Sequence, residues 1–546
     1  MRITCQRAFW AIVFAATLAG ALRAQDISTR DLLDGLGNPN RWLTYSGDYT
    51  GQRFSPLKQI TAANADRLAG QWTFQTAVNS KFEATPIVID GTLYITGGAS
   101  TGSGATTQHA WAIDGRAGKQ LWHYQRQLPE GLKVCCGLVN RGFAVLHNRL
   151  FMVTLDAHFV ALNRADGKVI YDVEMAKIKD GYAATGAPLI VNDKVIAGIA
   201  GGEYANRGFI DAYDPETGKR LWRVYSTPGP GEPGSETWAG DIWARGGGPT
   251  WLSGSYDPAL NLLYWGTGNP NPDWNGEVRP GDNLYTDSLL ALDPDTGKMR
   301  WHYQFTPHDT HDWDSNEVPV LADLTINGAA RKVVMMANRN GFFYVLDRTN
   351  GRLILAKPFV KTTWATEIRP DGKPQVLPDQ EPTTTGNVTC PDLYGGTNFM
   401  SPSYDPTQRL FFVTARETCM RFIRRPLPPE AALGDRTMGG TVQFLSDPKP
   451  WGALRAIDPT TGERKWEVRY EGAGWAGVLA TAGGVVFSGD HEGNFFAADS
   501  RTGRKLFEYQ TGAVVYGPPT SYSIDGRQYV VVPSGATLTA FALPKT

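Results

Sequence analysis

A strand–turn–strand unit recurs along this chain and restricts its fold more than any other feature of the sequence. The turn Asp-Pro-x-Thr-Gly is typical β-turn chemistry in which the glycine supplies a positive φ. The flanking residues alternate between apolar and polar, as half-buried strands do. The clearest copies are HAWAIDGRAGKQLWHY (109–124), FIDAYDPETGKRLWRV (209–224), SLLALDPDTGKMRWHY (288–303) and ALRAIDPTTGERKWEV (453–468), and weaker copies lie at 159–173, 342–357 and 495–509.

The spacing of these copies indicates how the units are arranged. It is irregular but often near the ~50 residues of a propeller blade, so a chain of 546 residues has room for about eight blades with insertions. Segment 64–76 resembles a lone outer strand and 535–543 resembles its inner partners, so pairing the two ends would close a ring. The recurring alanine and the terminal tryptophan suit a small residue that faces a large one across a packing seam. We predict one all-β propeller without a second domain; fewer blades with larger loops is the alternative.

The first 24 residues have the three-part layout of a secretory signal peptide. MRITCQR is short and basic, AFWAIVFAATLAGAL is apolar but short for a bilayer span, and Ala24 lies at a cleavage point. An uncleaved anchor helix is the alternative, and no later stretch is long and apolar enough to span a membrane. The expected mature chain, residues 25–546, would be exported into an oxidising space where disulfides persist. A net charge of −1 leaves no basic excess for nucleic acid.

Two of the five cysteines, Cys135 and Cys136, are neighbours in LKVCCGLVNRG (132–142). Adjacent Cα atoms lie about 3.8 Å apart, whereas disulfides prefer roughly 4.4–6.8 Å, so a bond here would close a small ring that staples no loop. The pair is therefore either two unrelated thiols or a ring whose surface contacts a ligand. If the two pair, Cys390 and Cys419 are left to form a second bond that closes a real loop.

The segment PHDTHDWDSNE (307–317) is the richest in groups that bind metals or move protons. Asp312 and Asp314 are two residues apart, so in extended backbone both side chains point to one side. Two like charges that face one spot are costly without a cation, and oxygen ligands favour a hard one. The alternatives are a solvated acidic loop and a zinc site that uses His308 and His311.

Three further segments carry candidates that are individually weak: AGIAGGEYANRG with Glu203, RGGGPTWLSG…LLYWGTGNPNP with Trp251 and Asn269, and MMANRNG with Arg339. Together with the Cys-Cys-x-x-Val-Asn-Arg-Gly signature they are specific. From about Trp42 to its C-terminus the chain resembles the pyrroloquinoline quinone (PQQ)-dependent alcohol dehydrogenases of the methanol and ethanol type. The resemblance implies an all-β fold, an eight-bladed β-propeller whose repeats are tryptophan-docking motifs.

The resemblance also implies roles for individual residues around a flat cofactor. The cofactor slot would have the disulfide Cys135–Cys136 on one face and Trp251 on the other. Asp312 resembles the catalytic base, Arg339 resembles the residue near the quinone oxygens, and Cys390–Cys419 matches a family disulfide. Further cofactor contacts are expected at Glu83, Arg141, Thr185, Gly201, Gly202 and Trp475.

The expected metal ligands are Glu203, Asn269 and Asp312, with PQQ completing the shell. In this family a second aspartate two residues past the catalytic one is typical of lanthanide-dependent enzymes, whereas calcium enzymes usually have a small uncharged residue there. Here that position is Asp314. The sequence therefore predicts a lanthanide ion, with Ca²⁺ as the alternative.

The resemblance predicts a periplasmic enzyme that oxidises a primary alcohol to an aldehyde by hydride transfer to metal-bound PQQ. There is no Cys-x-x-Cys-His haem motif, so electrons would pass to a separate soluble cytochrome c. Two residues depart from the pattern: Ala200 replaces a serine of some relatives, and Arg416 stands where methanol dehydrogenases have asparagine. The alternatives are a quinoprotein for an aldehyde or a sugar, and a propeller scaffold of outer-membrane assembly; a homodimer is left open.

Overall fold

The computed structural model describes residues 26–78, 81–100, 106–427 and 432–545. The expected signal peptide lies outside the described residues, so it stays a prediction. The helix α1 (Thr29–Asp34) begins at Ser28, whose hydroxyl accepts the backbone N–H of Asp31 while the Asp31 carboxylate accepts that of Ser28. No helix within the described ranges is long and apolar enough to cross a membrane. Short 3₁₀ turns are Gly35–Gly37, Ala65–Arg67, Ile178–Asp180, Gly202–Tyr204, Ser235–Thr237, Ile242–Arg245 and Gly276–Val278.

Strands make up almost all of the remaining regular structure. The first nineteen are β1 (Arg41–Trp42), β2 (Phe54–Ser55), β3 (Ala69–Gln75), β4 (Ile87–Ile89), β5 (Thr92–Ser100), β6 (Thr106–Asp114), β7 (Gln120–Gln127), β8 (Ala144–Leu146), β9 (Arg149–Val153), β10 (His158–Asn163), β11 (Val169–Glu174), β12 (Leu189–Val191), β13 (Lys194–Gly198), β14 (Phe209–Tyr213), β15 (Arg220–Tyr225), β16 (Ser255–Asp257), β17 (Leu262–Gly266), β18 (Ser288–Leu292) and β19 (Met299–Gln304).

The C-terminal half continues in the same manner. Its strands are β20 (Val320–Ile326), β21 (Ala329–Ala337), β22 (Phe342–Asp347), β23 (Leu353–Pro358), β24 (Ala365–Ile368), β25 (Pro374–Val376), β26 (Asn387–Thr389), β27 (Ser403–Asp405), β28 (Leu410–Glu417), β29 (Met420–Arg424), β30 (Gly440–Phe444), β31 (Trp451–Ile457), β32 (Arg464–Tyr470), β33 (Leu479–Thr481), β34 (Val485–Gly489), β35 (Asn494–Asp499), β36 (Lys505–Gln510), β37 (Thr520–Ile524), β38 (Arg527–Ser534) and β39 (Thr537–Ala542).

These strands form a series of sheets that follow one another along the chain. In the described parts of the chain, the sheets with four or five strands have the orders β1-β4-β5-β6-β7, β8-β9-β10-β11, β12-β13-β14-β15, β16-β17-β18-β19, β20-β21-β22-β23, β27-β28-β31-β32, β2-β33-β34-β35-β36 and β3-β39-β38-β37. Smaller sheets, β24-β25 and β26-β29-β30, are formed by two insertions, one between β23 and β27 and one between β28 and β31. Apart from the parallel pair β2 and β33, neighbouring strands are antiparallel.

The two ends of the chain share one sheet, as the sequence predicts. The early strand β3 pairs with the last strand, β39, over the register Ala69↔Ala542 to Gln75↔Thr537. Strands β38 and β37 complete that sheet. The pairing joins residues more than 450 positions apart, so the two ends of the chain are held together in one sheet.

The recurring alanine and tryptophan are cross-strand partners within each repeat. The register places them directly opposite one another at Ala112↔Trp122, Ala212↔Trp222, Ala291↔Trp301 and Ala456↔Trp466. A small residue opposite an indole leaves room for the ring to lie over the sheet. The recurring alanine and tryptophan therefore indicate the register in which the two strands pair. A β-bulge follows each pair.

The tryptophans also form the seam between successive sheets. The indole Nε1 of Trp122 on β7 donates to the carbonyl of Arg164 at 3.0 Å, in the turn between β10 and β11 of the next sheet. Trp222 makes the same contact with Pro294 at 3.1 Å. Apolar side chains of adjacent sheets then pack into continuous buried clusters. The sequential sheets are thereby held side by side, and the loops at one end of the assembly can converge.

Candidate functional site

A cavity of about 490 Å³ brings together residues from distant parts of the sequence. Its walls come from loops between successive sheets, such as those of Trp251 and Asp312, and from loops within one sheet, such as that of Glu203. Of the residues predicted from sequence, it is lined by Glu83, Cys135, Cys136, Arg141, Thr185, Gly201, Glu203, Trp251, Asp312, Asp314, Arg339 and Trp475. Asn269 and Gly202 lie just behind the wall, where Asn269 is fully buried. The predicted set thus occupies one place in the fold.

Both expected disulfides are present. Cys135 and Cys136 are bonded, with their Cα atoms 3.8 Å apart, and Cys390 is bonded to Cys419 across 29 residues. The interpretation of two unrelated thiols is therefore wrong. The sulfur atoms of the adjacent pair and a carboxylate oxygen of Glu203 all lie within 4.8 Å of one another. The small ring is consequently part of the cavity wall beside a buried acid.

Arg141, which follows the cysteine pair, is held by three kinds of contact. Its Nη2 lies 2.7 Å from a carboxylate oxygen of Glu83, and its Nη1 donates to Thr185 Oγ1 at 2.8 Å. The guanidinium also lies over two aromatic rings, with Cζ 4.6 Å from the Trp251 centroid and 5.4 Å from that of Phe399. A planar cation fixed in this way provides a binding surface for an anionic, flat ligand.

Asp314 is the most highly connected acid in the cavity. Its Oδ1 accepts the backbone N–H of Asn269 at 2.7 Å, and its Oδ2 accepts Trp251 Nε1–H at 2.9 Å. Arg339 bridges the two aspartates: Nη2 lies 3.0 Å from Asp314 Oδ2, and Nη1 donates to the backbone carbonyl of Asp312 at 2.7 Å. Asp312 and Asp314 are 7% and 5% exposed, so the interpretation of a solvated acidic loop is wrong for both.

The histidines of the same segment have separate partners. His308 Nδ1 contacts the carbonyl of Gly281, whereas His311 stacks on Trp313 and its Nε2 contacts the carbonyl of Gln380. Burial lowers the pKa of His311 to about 4, which keeps the ring neutral near neutral pH. Within the described residues the two rings belong to no group of three candidate ligands, so the zinc alternative has no support.

The buried acids outnumber the cations that face them. Burial raises the pKa of Asp312 well above its ordinary value, although the Arg339 guanidinium opposes the shift. Burial also raises the pKa of Glu203, and the nearby Asp314 carboxylate adds to the effect. Buried like charges destabilise one another unless a cation is shared between them. This part of the cavity is therefore suited to a multivalent cation.

Two glycines allow the acidic groups to approach the backbone. A Cβ on Gly268 would collide with Asp314 Oδ1, so only glycine lets that carboxylate reach the N–H of Asn269. A Cβ on Gly202 would lie 2.8 Å from Asn269 Oδ1, which brings the Glu203 segment against the asparagine amide. The close packing of these turns explains the glycines that precede Glu203 and Asn269.

Trp475 lies between an aromatic ring and a buried cation. Its ring stacks on Phe399 at 5.7 Å, and Arg416 Cζ lies 4.0 Å from its centroid. Arg416 also lies 3.6 Å from a carboxylate oxygen of Asp392 and does not line the cavity. Arg416 therefore contacts the site through the indole of Trp475.

The sequence of the chain matches one family model along most of its length. The model describes the β-propeller domain of glucose, ethanol and alcohol dehydrogenases that use PQQ, and it covers residues 42–362 and 373–530. The chain belongs to the PQQ-dependent alcohol dehydrogenase family. It is 39% identical over 550 residues to the quinoprotein alcohol dehydrogenase PedH of Pseudomonas putida, covering 96% of this chain and 91% of that protein.

Other relatives also match most of this PQQ-dependent dehydrogenase. The lanthanide-dependent methanol dehydrogenase of Methylacidiphilum fumariolicum is 36% identical, with 91% of this chain and 85% of that protein covered. Among solved structures, a europium-containing methanol dehydrogenase superposes with a TM-score of 0.87 at 33% identity, covering 94% of this chain and 100% of the other. The quinohemoprotein alcohol dehydrogenase of Comamonas testosteroni gives 0.84 at 35% identity, covering 93% and 82%. The fold is thus that of a PQQ-binding β-propeller.

The residues at the cavity fit a hard metal ion on two observations. Asn269 Oδ1 is buried and has no hydrogen-bond partner, which leaves a neutral oxygen ligand beside the acids. Glu203, Asp312 and Asp314 add carboxylate oxygens, and oxygen-only sets suit hard cations. Among the described residues these carboxylates do not form a trio within 4.8 Å, so coordination would require them to converge on the ion.

Two groups of residues at the cavity could not be identified from the sequence. One is Asp273, a fully buried acid whose Oδ1 accepts a hydrogen bond from the side chain of Asn269. The other is an apolar outer wall contributed largely by the two insertions, between β23 and β27 and between β28 and β31, and no sequence motif marks it. Its members are Trp274, Leu393, Tyr394, Met438, Val442 and Phe444.

Proposed function

We propose that this chain oxidises a primary alcohol to an aldehyde, with PQQ as the hydride acceptor and a lanthanide ion as the Lewis acid. One observation carries the proposal: a single cavity joins the Cys135–Cys136 ring and Trp251 to Arg339 and a set of buried carboxylates. The fold would be an eight-bladed propeller of tryptophan-docking repeats. The sequential sheets and the indole contacts between them support that description.

Some of the residues that would hold the cofactor would cover the faces of its ring, and others would pair with its charged groups. Cys135–Cys136 and Trp251 are placed to cover the faces of a flat ring, and Arg141 is placed to pair with an acidic substituent. Further contacts are proposed for Glu83, Thr185, Gly201, Gly202 and Trp475, and the metal ligands are proposed to be Glu203, Asn269, Asp312 and Asp314. When bound, PQQ would supply an electrophilic carbonyl, and the metal ion would supply the Lewis acid that activates it.

The chain's own residues would then handle the proton and the developing charge. Asp312 is the proposed general base, because it is a buried carboxylate that faces the cavity and can accept the hydroxyl proton of an alcohol. Arg339 lies beside it and carries a fixed positive charge toward the reacting oxygens. The surrounding aromatic rings exclude water from the reaction.

The preference for a trivalent ion rests on Asp314. A lanthanide of similar size to Ca²⁺ carries one more charge and is better neutralised by a further anionic ligand. Asp314 is buried, and Arg339 is its cationic partner in the described structure. A bound cation that took up Asp314 would leave Arg339 free for the reacting oxygens.

We further propose that the protein works in the periplasm and passes electrons to a soluble cytochrome c. The signal-peptide pattern of residues 1–24 and the two disulfides support an oxidising compartment. The sequence has no Cys-x-x-Cys-His motif that would attach a haem covalently to this chain.

The apolar outer wall favours an alcohol over a sugar. Leu393, Met438, Val442 and Phe444 offer no partners for a row of hydroxyl groups. An alcohol with an apolar body would bury that body against them. A quinoprotein that acts on an aldehyde is the second candidate, and its substrate would occupy the same wall.

Reconstitution tests the proposal. We expect protein mixed with PQQ and La³⁺ to reduce an artificial dye when a primary alcohol is added, and to bind one PQQ per chain by mass spectrometry. Omission of PQQ should abolish dye reduction. Absence of PQQ binding with every metal tried would contradict the enzyme and support a scaffold.

Replacement of Cys135 and Cys136 by serine should lower dye-linked activity strongly and leave the melting temperature nearly unchanged. The bond between neighbours closes almost no loop, so its loss costs little unfolded-state entropy, whereas the cofactor loses one wall. The matched control is the serine pair at Cys390 and Cys419. That bond spans 29 residues, and its loss should cost roughly 3.5 kcal/mol of stability from loop-closure entropy. A large fall in melting temperature with activity intact in the first variant would contradict a role in the cofactor wall.

A further inference from the structure

The buried side chain of Asn269 has an unusual arrangement of hydrogen bonds. Its amide NH₂ donates to Asp273 Oδ1 at 3.1 Å and more weakly to the carbonyl of Pro270 at 3.4 Å. Its Oδ1 has no partner, although the residue is fully buried. The oxygen lies against Gly202, next to Glu203, on the side where the metal ion is proposed to bind. One end of the amide is therefore occupied and the other is free.

The partner of the NH₂ group decides which end of an amide faces a cation. An asparagine can rotate by half a turn and exchange its oxygen and nitrogen at little cost in shape. Only the oxygen can ligate a metal ion, whereas the NH₂ group would repel it. A carboxylate is an acceptor without donors, so Asp273 attracts the NH₂ end and leaves the oxygen for the ion.

We propose that Asp273 is a positioning residue that fixes the Asn269 amide with Oδ1 toward the metal ion. The inference rests on the proposed metal site and adds a residue outside the ligand set. Asp273 lies four positions after Asn269 in the turn GNPNPDW and is itself fully buried, so solvent does not compete for its oxygen. Groups that orient metal ligands typically change metal affinity by about 10- to 100-fold when they are replaced.

Two substitutions separate orientation from charge. Asp273→Leu keeps the branched shape of the side chain and removes the acceptor, so the amide loses its main constraint. Asp273→Asn removes the charge and keeps an oxygen that can accept from the Asn269 NH₂. Asp273→Leu leaves the buried NH₂ group of Asn269 without its main acceptor, which costs stability, so melting curves must first show that each variant is folded at the temperature of the assay. Asp287→Asn, which removes another fully buried carboxylate, is the matched control for charge alone.

The readout is Tb³⁺ affinity of PQQ-loaded protein, measured by sensitised luminescence and competition with a chelator. We expect D273L to bind Tb³⁺ about 10- to 100-fold more weakly than the wild type, and D273N and D287N to stay within a few-fold. Binding by D273L within twofold of the wild type would overturn the inference, as would a D273N variant as weak as D273L. Failure of the wild type itself to bind Tb³⁺ would instead overturn the proposed metal site.

Discussion

Asp312→Asn should bind PQQ and metal nearly as well as the wild type and turn over alcohol about 10²- to 10⁴-fold more slowly, the range expected for loss of a general base. The amide keeps an oxygen for the ion and cannot accept a proton. Asp312 is buried in the cavity wall, and Arg339 binds its backbone carbonyl, so the substitution leaves that anchor in place. The measurement is dye-linked turnover with saturating alcohol.

Metal and PQQ content of the purified variant provide the control for this experiment. A variant that lost both ligands would show a binding defect, and its turnover would then say nothing about proton transfer. Turnover within tenfold of the wild type, with PQQ and metal bound, would assign the base to another residue. The nearest buried acid that faces the cavity is Asp314, and its oxygens accept two hydrogen bonds already.

The repeats specify the fold because each carries its own register signal. The alanine and the tryptophan of one repeat are cross-strand partners, and the indole then contacts the turn of the following sheet. One local pattern therefore encodes both a hairpin and its neighbour. Pairing of β3 with β39 was predictable for a related reason, since each end carried an incomplete set of strands.

The candidate site was predictable where chemistry is concentrated in short motifs. The adjacent cysteines, the paired aspartates and the glycine-flanked Glu203 are visible without a structure, and they line one cavity. Asp273 was not visible, because an isolated aspartate in a Pro-rich turn carries no pattern. Its significance depends on one hydrogen bond to Asn269. The apolar outer wall could not be predicted either, because the position of a long insertion is decided by tertiary packing and not by a local motif.

The contacts of Arg416 could not be predicted from its residue type. Arg416 departs from the family pattern in the sequence, and the structure places its guanidinium against Trp475 and beside Asp392. Burial lowers the pKa of Arg416, with the Asp392 carboxylate acting in the opposite direction. A residue type thus indicates a charge, and only the packing shows what that charge contacts.

The wild type should be active with La³⁺ or Ce³⁺ and nearly inactive with Ca²⁺, and Asp314→Ala should lose the lanthanide response. We expect lanthanide-dependent activity to fall roughly 100-fold, because a Lewis-acid metal ion contributes several kcal/mol to transition-state stabilisation and the variant would hold that ion less well. Without a trivalent ion, the Asp312 and Asp314 charges are compensated mainly by Arg339. The measurement is dye-linked activity after reconstitution with each metal in turn.

Asp314 also holds Trp251, so the loss of charge must be separated from the loss of a hydrogen bond. Its Oδ2 accepts the indole N–H of Trp251, and its Oδ1 accepts the backbone N–H of Asn269. Trp251→Phe removes the indole donor and part of the ring proposed to cover the cofactor but keeps the Asp314 carboxylate, so this variant should retain the preference for La³⁺ over Ca²⁺ at whatever activity remains. Equal or better activity of the wild type with Ca²⁺ would contradict the lanthanide assignment and leave the PQQ assignment standing. A Trp251→Phe variant that lost the metal preference would instead place the selectivity in the geometry of the indole, because the negative charge at Asp314 is unchanged.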